Sequence, residues 1–282
     1  MNMSTTLAAL RPSPTIEDFD DVIARMVPIE RLTAAQDKIR RDYLTAKPYP
    51  HVVIDGFFDE EILDRIATEF PDRSRRDWLH WDSKNENKHT SRGAVGLPAF
   101  TQTFLWQMCS APVMKFLAHV SGFTDLVMDP MFHGGGLHES SRGGWLNVHA
   151  DYTKHPVLPL VRRLNLIIYL NRDWDPDWGG ALELWDSETK SCGARVEPLF
   201  NRAVLFPTEQ TLHGFPDPMT CPANVSRKSV AFFYWGTDTE AVKEGVHINF
   251  LPDSRRSRRT AFVRSLIPPI AYSALNSLRN RL

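Results

Sequence analysis

The chain has 282 residues, 42% hydrophobic and 24% charged, a globular composition that excludes a disordered chain. Its formal net charge of -1 excludes a global electrostatic pull toward nucleic acid or an anionic membrane. Three widely spaced cysteines (Cys109, Cys192, Cys221) and no CxxC argue against a disulfide framework or zinc knuckle and predict a cytoplasmic location. Residues 1–12 show no signal-peptide core, and no apolar run approaches the ~20 residues that span a bilayer, so no membrane partner is expected.

Residues 1–14 read as a loose start, followed by helices over 16–26 and 29–44. Thr33 and Gln36 fit a capping box, which moves the start of the second helix toward residue 33. Pro48 and Pro50 close this region, and His51-Val52-Val53-Ile54-Asp55 reads as a short strand. Asp59 is placed to cap the next helix, with Glu60 and Glu61 in its first turn and Ile62, Leu63, Ile66, Ala67 and Phe70 as its apolar stripe. Residues 72–92 are polar and read as a mobile loop, a candidate lid carrying Trp78, Trp81 and His89. One helix is expected over 100–120.

From about residue 125 short β-rich runs alternate with turn residues: 125–128, 145–150, 164–170, 181–185, 195–198, 203–206 and 229–235. Strands at this spacing predict a sandwich or barrel. From Asn249 the tail reads as helical, and its basic run at 255–259 fits either a solvated helix face or a dock for an acidic partner such as a carrier protein.

Trp145-Leu146-Asn147-Val148-His149-Ala150-Asp151 alternates with period two, so His149 and Asp151 project from one face. A third ligand must come from elsewhere, and His213 follows the strand at 203–206 after a short turn. Two imidazoles and one carboxylate leave coordination positions open and suit non-haem iron(II). HxD alone is common by chance; the downstream context adds specificity. Arg227-Lys228-Ser229 opens an apolar strand with Arg227 and Ser229 on one face. If it points inward, the guanidinium must be paired, by a protein carboxylate or by a bound dicarboxylate that it grips through two hydrogen bonds; the alternative is an arginine that snorkels to the surface.

His149-Ala150-Asp151, His213 and Arg227-Lys228-Ser229 together resemble the HxD…H…RxS signature of the iron(II)/2-oxoglutarate dioxygenases, in particular the prolyl-4-hydroxylase-like branch. The segments at 163–171, 179–184 and 198–206 and the strand at 51–58 match the same family in order, so the resemblance covers roughly residues 50–236. It implies a mainly β fold with flanking helices, a double-stranded β-helix or jelly roll. The domain limits expected are an N-terminal helical extension at 1–48, the oxygenase jelly roll at 49–245 and a helical tail at 246–282.

The resemblance implies Fe(II) held by His149, Asp151 and His213, with 2-oxoglutarate and O2 as cosubstrates and ascorbate as a candidate reductant. It places Arg227 on the distal carboxylate of 2-oxoglutarate, helped by Ser229 and Tyr169, with Asn165 near the cosubstrate. Related enzymes often carry a tyrosine before the HxD motif; here His138 stands in a glycine-rich segment and is the candidate for that polar role. Trp145 and Asn147 share the expected face of His149 and are candidates for lining the substrate pocket or, for Trp145, the core. Arg162 and Arg163 are candidates for an anionic substrate or for plain solvated charge. Related halogenases have a small residue at position 151, so the carboxylate there implies hydroxylation instead.

The expected reaction is hydroxylation of an unactivated C–H bond of a small molecule with release of succinate and CO2. Peptidyl-proline is the alternative substrate. A zinc-dependent hydrolase explains the three ligands but not Arg227, and a non-catalytic binding module explains neither. A carrier protein or a homodimer remains open as partner.

Overall fold

In the computed structural model, residues 16–72, 74, 78–209, 211–237 and 249–251 are described. The helices are α1 (Ile16–Met26), α2 (Ile29–Thr45), α3 (Glu60–Thr68), α4 (Ala99–Gln107) and α5 (Ala111–Ser121). The strands are β1 (Val52–Asp55), β2 (Leu79–Asp82), β3 (Glu86–Thr90), β4 (Val127–Met128), β5 (Gly136–Ser141), β6 (Trp145–Ala150) and β7 (Leu160–Tyr169). They continue with β8 (Leu182–Trp185), β9 (Cys192–Val196), β10 (Arg202–Pro207), β11 (Leu212–Phe215), β12 (Ser226–Thr237) and β13 (Asn249–Phe250).

Local chemistry sets the helix ends. Asp59 accepts the amide of Glu61 and caps α3 as expected, with two acidic residues in the first turn. The second helix differs from expectation: α2 begins at Ile29, directly after Pro28, and Thr33 lies inside it. Proline has no N–H to leave unsatisfied at a helix start, so it sets the boundary ahead of the Thr33–Gln36 pair. The single helix expected over 100–120 is two. Pro112 sits in the first turn of α5, and Ser110 before it is extended. A proline nitrogen cannot donate to the carbonyl four residues back, so the chain ends one helix and starts another.

The strands pair antiparallel in the order β1-β10-β7-β12-β5-β3-β6-β11-β8-β9, with β2 on β3, β4 on β12 and β13 on β6. The sheet curls into a nearly closed jelly roll. Period-two alternation divides its residues: Leu164, Leu166 and Ile168 of β7 face outward and are buried under the helices, together with Val230 and Phe232 of β12 and Phe104 and Leu105 of α4. Each such large side chain contributes about 1.5–3 kcal/mol by leaving water. Asn165 and Ile167 of β7, and Arg227, Ser229 and Ala231 of β12, face the interior of the roll.

Two further expectations change. The segment 72–92, expected as a loose loop, carries the β2–β3 hairpin, and β3 is wedged between β5 and β6. Its alternation of Glu86, Lys88 and Thr90 with Asn87 and His89 is a strand pattern written almost wholly in polar residues. At the other end, Asn249 and Phe250 are extended and paired with Ala150 and His149 of β6, not helical. The rest of the tail, with its basic run, lies outside the described residues.

Asn201 pins the start of β10 to the end of β1. It is buried, sits at φ 56°, accepts the Phe58 amide at 2.9 Å through Oδ1 and donates to the Phe58 carbonyl at 2.8 Å through Nδ2. Asn201→Ala removes both bonds and puts a disfavoured residue in a left-handed turn, so urea denaturation should show a loss of about 2–4 kcal/mol. Asn201→Gly keeps the turn and should lose less.

Candidate active site

Antiparallel pairing sets His213 of β11 directly opposite His149 of β6. Asp151 follows β6 on the same side. His149 Nε2 lies 3.3 Å from Asp151 Oδ1, and His213 Nε2 lies 3.7 Å from Oδ2. The three side chains offer ligand atoms all within 4.8 Å of one another. Two ligands about 2.1 Å from one ion at right angles are about 3 Å apart, so this spacing fits a shared metal. His149 Nδ1 lies 2.9 Å from the Asn147 carbonyl, which accepts its proton and leaves Nε2 bare for a metal.

Burial alone would raise the Asp151 pKa, but the Arg162 charge and the imidazoles of His213 and His149 outweigh it and hold the carboxyl well below its usual range. Burial and His149 push the His213 pKa down to about 3. A carboxylate beside a neutral imidazole is the ligand form that a divalent metal requires. Asn165 donates to Asp151 Oδ2 at 2.9 Å, and its own Oδ1 accepts from the Thr208 hydroxyl at 3.1 Å. The sequence placed Asn165 near the cosubstrate; the structure puts it against the carboxylate and also on the wall of the inner cavity.

That inner cavity, of about 80 Å³, runs from His149, Asp151 and His213 to Arg227 and Ser229. Arg227 is 6% exposed; no described carboxylate stands within ion-pair distance of it, and Glu197 acts on it only from farther away. Its Nε donates to the Gly180 carbonyl at 2.7 Å, its Nη2 to the Tyr169 hydroxyl at 3.1 Å, and the guanidinium lies over the Phe215 ring. Burial lowers its pKa against the support of Tyr169. Tyr169 stands beside the guanidinium and is not among the residues lining the cavity. Gly180, at φ +77°, leaves the space: a Cβ there would meet Met219 Sδ at 2.6 Å and Arg227 Cδ at 3.2 Å. In the sheet Ser229 is flanked by Tyr169 on β7 and His138 on β5. His138 lines the cavity, its Nε2 held by the Gly134 carbonyl at 3.1 Å. Burial and the Lys88 charge push its pKa down to about 3.

A larger outer cavity of about 450 Å³ opens from His149 and Asp151, while His213 faces the inner one alone. Here Trp145 and Asn147 do not behave as expected. Between the pairs His213–His149 and Phe215–Leu146, β6 carries one extra residue, a bulge that flips the strand's facing. Leu146 lines both cavities, while Asn147 donates to the Leu251 carbonyl and Trp145 is buried away from them. A second bulge, between the pairs Tyr234–Leu164 and Trp235–Arg162, does the same to β7. It turns Arg162 inward and Arg163 outward to Asp125. Arg162 is 3% exposed, stacks on Tyr152, Phe233 and Trp235, and lies 3.3 Å from Asp151. Its Nε and Nη2 have no hydrogen-bond partner among the described residues. Sequence reasoning missed Lys88, which lines both cavities and pairs with Glu86 at 3.1 Å, because its strand was read as a loop.

Residues 135–235 match the family model described as the 2OG-Fe(II) oxygenase superfamily. Among solved structures, a prolyl-4-hydroxylase from Pseudomonas putida is similar at 16% identity and TM-score 0.50, covering 73% of this chain and 100% of that one. HygX from Streptomyces hygroscopicus, solved with nickel and 2-oxoglutarate bound, is 13% identical at TM-score 0.42, covering 71% of this chain and 92% of its own. At 16% identity the likeness to the Pseudomonas putida enzyme is one of fold. No curated protein matches the sequence.

Replacing Asn165 by Ala frees Asp151 to rotate and strands the Thr208 hydroxyl. Divalent-metal affinity, measured by cobalt(II) titration, should fall about 10- to 100-fold, with the far-UV spectrum unchanged.

Proposed function

The chain belongs, through residues 135–235, to the 2OG-Fe(II) oxygenase superfamily, and on that premise we propose that it hydroxylates a C–H bond of a small molecule, using His149, Asp151 and His213 as metal ligands. It is an enzyme that uses Fe(II), 2-oxoglutarate and O2. The bound metal with its two cosubstrates supplies the oxidising chemistry. The observation that carries the reading is the convergence of those three side chains at one end of a cavity whose other end holds a buried guanidinium with no carboxylate partner among the described residues.

Each residue has a task in this reading. Arg227 anchors the distal carboxylate of 2-oxoglutarate in a two-toothed grip, with the Ser229 hydroxyl as a third donor. Tyr169 and the Gly180 carbonyl orient that guanidinium. His138 and Lys88 stand on the shared wall of the two cavities, where a metal-proximal carboxylate would lie. Asp151 occupies with fixed negative charge the position that is small in halogenases, which favours hydroxylation. The outer cavity, of a size that suits a small molecule, takes the substrate and presents Arg162 to it. The rival substrate, peptidyl-proline, draws support from exposed Trp81 and Met131 at the mouth of that cavity, where a chain could extend.

Anaerobic addition of iron(II) and 2-oxoglutarate should produce the weak visible charge-transfer band of the chelate; a folded protein without that band sinks the reading. Arg227→Met should raise the 2-oxoglutarate concentration for half-maximal formation by about 100-fold, the cost of losing a bidentate charge pair. Asp151→Gly should abolish substrate-dependent succinate formation. Small metabolites and proline-containing peptides screened in that same succinate assay separate the two substrate classes.

A further inference from the structure

A second Asp/His/His group stands apart from the one just described. Asp129, His133 and His155 bring their ligand atoms within 4.8 Å of one another, close enough in principle for a metal ion. The hydrogen bonds argue otherwise. His155 Nδ1 accepts the backbone N–H of Val157 at 3.1 Å and of Leu158 at 2.9 Å. A ring nitrogen that accepts two N–H bonds carries no proton, so the proton sits on Nε2, which lies 3.1 Å from Asp129 Oδ2. A metal on Nε2 would force that proton onto Nδ1, against two donors. The group is therefore an Asp129–His133 hydrogen-bonded pair with the His155 ring packed edge-on against His133.

Asp129 is 1% exposed and engaged through both oxygens. Its Oδ1 accepts the Met131 amide, and Oδ2 accepts the His133 amide at 2.8 Å and His133 Nδ1 at 2.6 Å. With its Nδ1–H donated to the carboxylate as a hydrogen bond, the neutral form of His133 has Nε2 as its acceptor. His133 is also the member that lines the outer cavity, with its side chain 36% exposed. The loop is built to aim it. Phe132, buried and packed on Phe232, holds φ 52°, a left-handed conformation that a bulky residue seldom adopts and that surrounding packing must enforce. On the far side, a Cβ at Gly134 would meet the Tyr152 hydroxyl at 3.0 Å and Arg162 Nη2 at 3.5 Å, so His133 and Arg162 stand on neighbouring parts of one wall.

We propose that His133 is a substrate-contacting, specificity-determining residue: its Nε2, fixed by Asp129 and His155, accepts a hydrogen bond from a substrate hydroxyl while Arg162 takes an acidic oxygen of the same molecule. The substrate class is then a small hydroxylated acid, carboxylic or phosphoric. The inference rests on the oxygenase reading only in taking the outer cavity as the substrate's. A pre-oriented acceptor that the bound ligand covers rejects an analogue that lacks the donor, because the acceptor then loses its water without gaining a partner.

The test uses the full chain with iron(II) and 2-oxoglutarate under anaerobic conditions. Three ligand pairs are titrated calorimetrically: lactate against propionate, glycerol phosphate against propyl phosphate, and gluconate against hexanoate. The hydroxylated member of at least one pair should bind at least about tenfold more tightly. His133→Phe should erase that difference, weakening the hydroxylated member and not the deoxy partner, while His133→Gln, whose amide oxygen replaces the acceptor, should restore part of it. No discrimination in any pair, or an equal loss for both members in His133→Phe, overturns the proposal. So does a second equivalent of bound zinc that disappears in Asp129→Asn. The charge-transfer band recorded in the same samples reports the oxygenase reading separately: a missing band fails that reading, and a normal band without discrimination fails only this one.

Discussion

Asp151 is a carboxylate removed almost wholly from water, and a buried anion has to be compensated. Here the compensation comes from four directions: imidazoles of His149 and His213, the amide of Asn165, and the guanidinium of Arg162. These groups arrive on β6, β11 and β7, strands that are not all neighbours in the sheet. Only a sheet that curls back on itself can deliver them to one point, so the jelly roll and the charge cluster depend on each other. The cluster carries more positive potential than one carboxylate absorbs once a divalent ion joins it, and that excess faces the cavities, where acidic ligands can meet it.

The two cavities divide that potential. Arg227 closes the inner one, held by Tyr169 and the Gly180 carbonyl and backed by the Phe215 ring. Arg162 stands in the outer one, held over three aromatic rings. A guanidinium stacked on aromatic faces keeps its direction without spending its hydrogen bonds. Both arginines are thus oriented in advance, which lowers the entropic cost of gripping an acidic group. Lys88 and His138 line both spaces, so occupancy of one is felt electrostatically in the other. His133 adds to the outer wall an imidazole oriented by Asp129, beside the Arg162 guanidinium.

Two β-bulges decide which side chains see the cavities. In β6 the extra residue exchanges Asn147 for Leu146, and in β7 it exchanges Arg163 for Arg162. Each exchange happens where the sheet bends to enclose the site, and a strand relieves that bend by admitting one unpaired residue. The β2–β3 hairpin completes the enclosure by inserting between β5 and β6. A segment so polar finds its place through backbone pairing to two strands, since it has little apolar surface of its own to bury.

Much of this was legible in the chain. The shared face of His149 and Asp151, the capped helix after Asp59 and a β sandwich or barrel from the order of apolar runs rest on local periodicity and side-chain chemistry; the jelly roll, and the grouping of His213, Arg227 and Ser229 with that face, rest on the resemblance to the iron(II)/2-oxoglutarate dioxygenases. What the sequence could not decide was anything that hinges on a partner strand. Pairing alone made a strand of 86–90 and turned residues 249–250 away from helix. Pairing also placed the bulges that brought Arg162 and Leu146 inward and sent Asn147 out. His133 and His155, 22 positions apart, share Asp129 only because two loops meet beside β12. Local composition determined which residues could do chemistry; long-range hydrogen bonding between strands, invisible to any short window of sequence, determined which of them face the cavity.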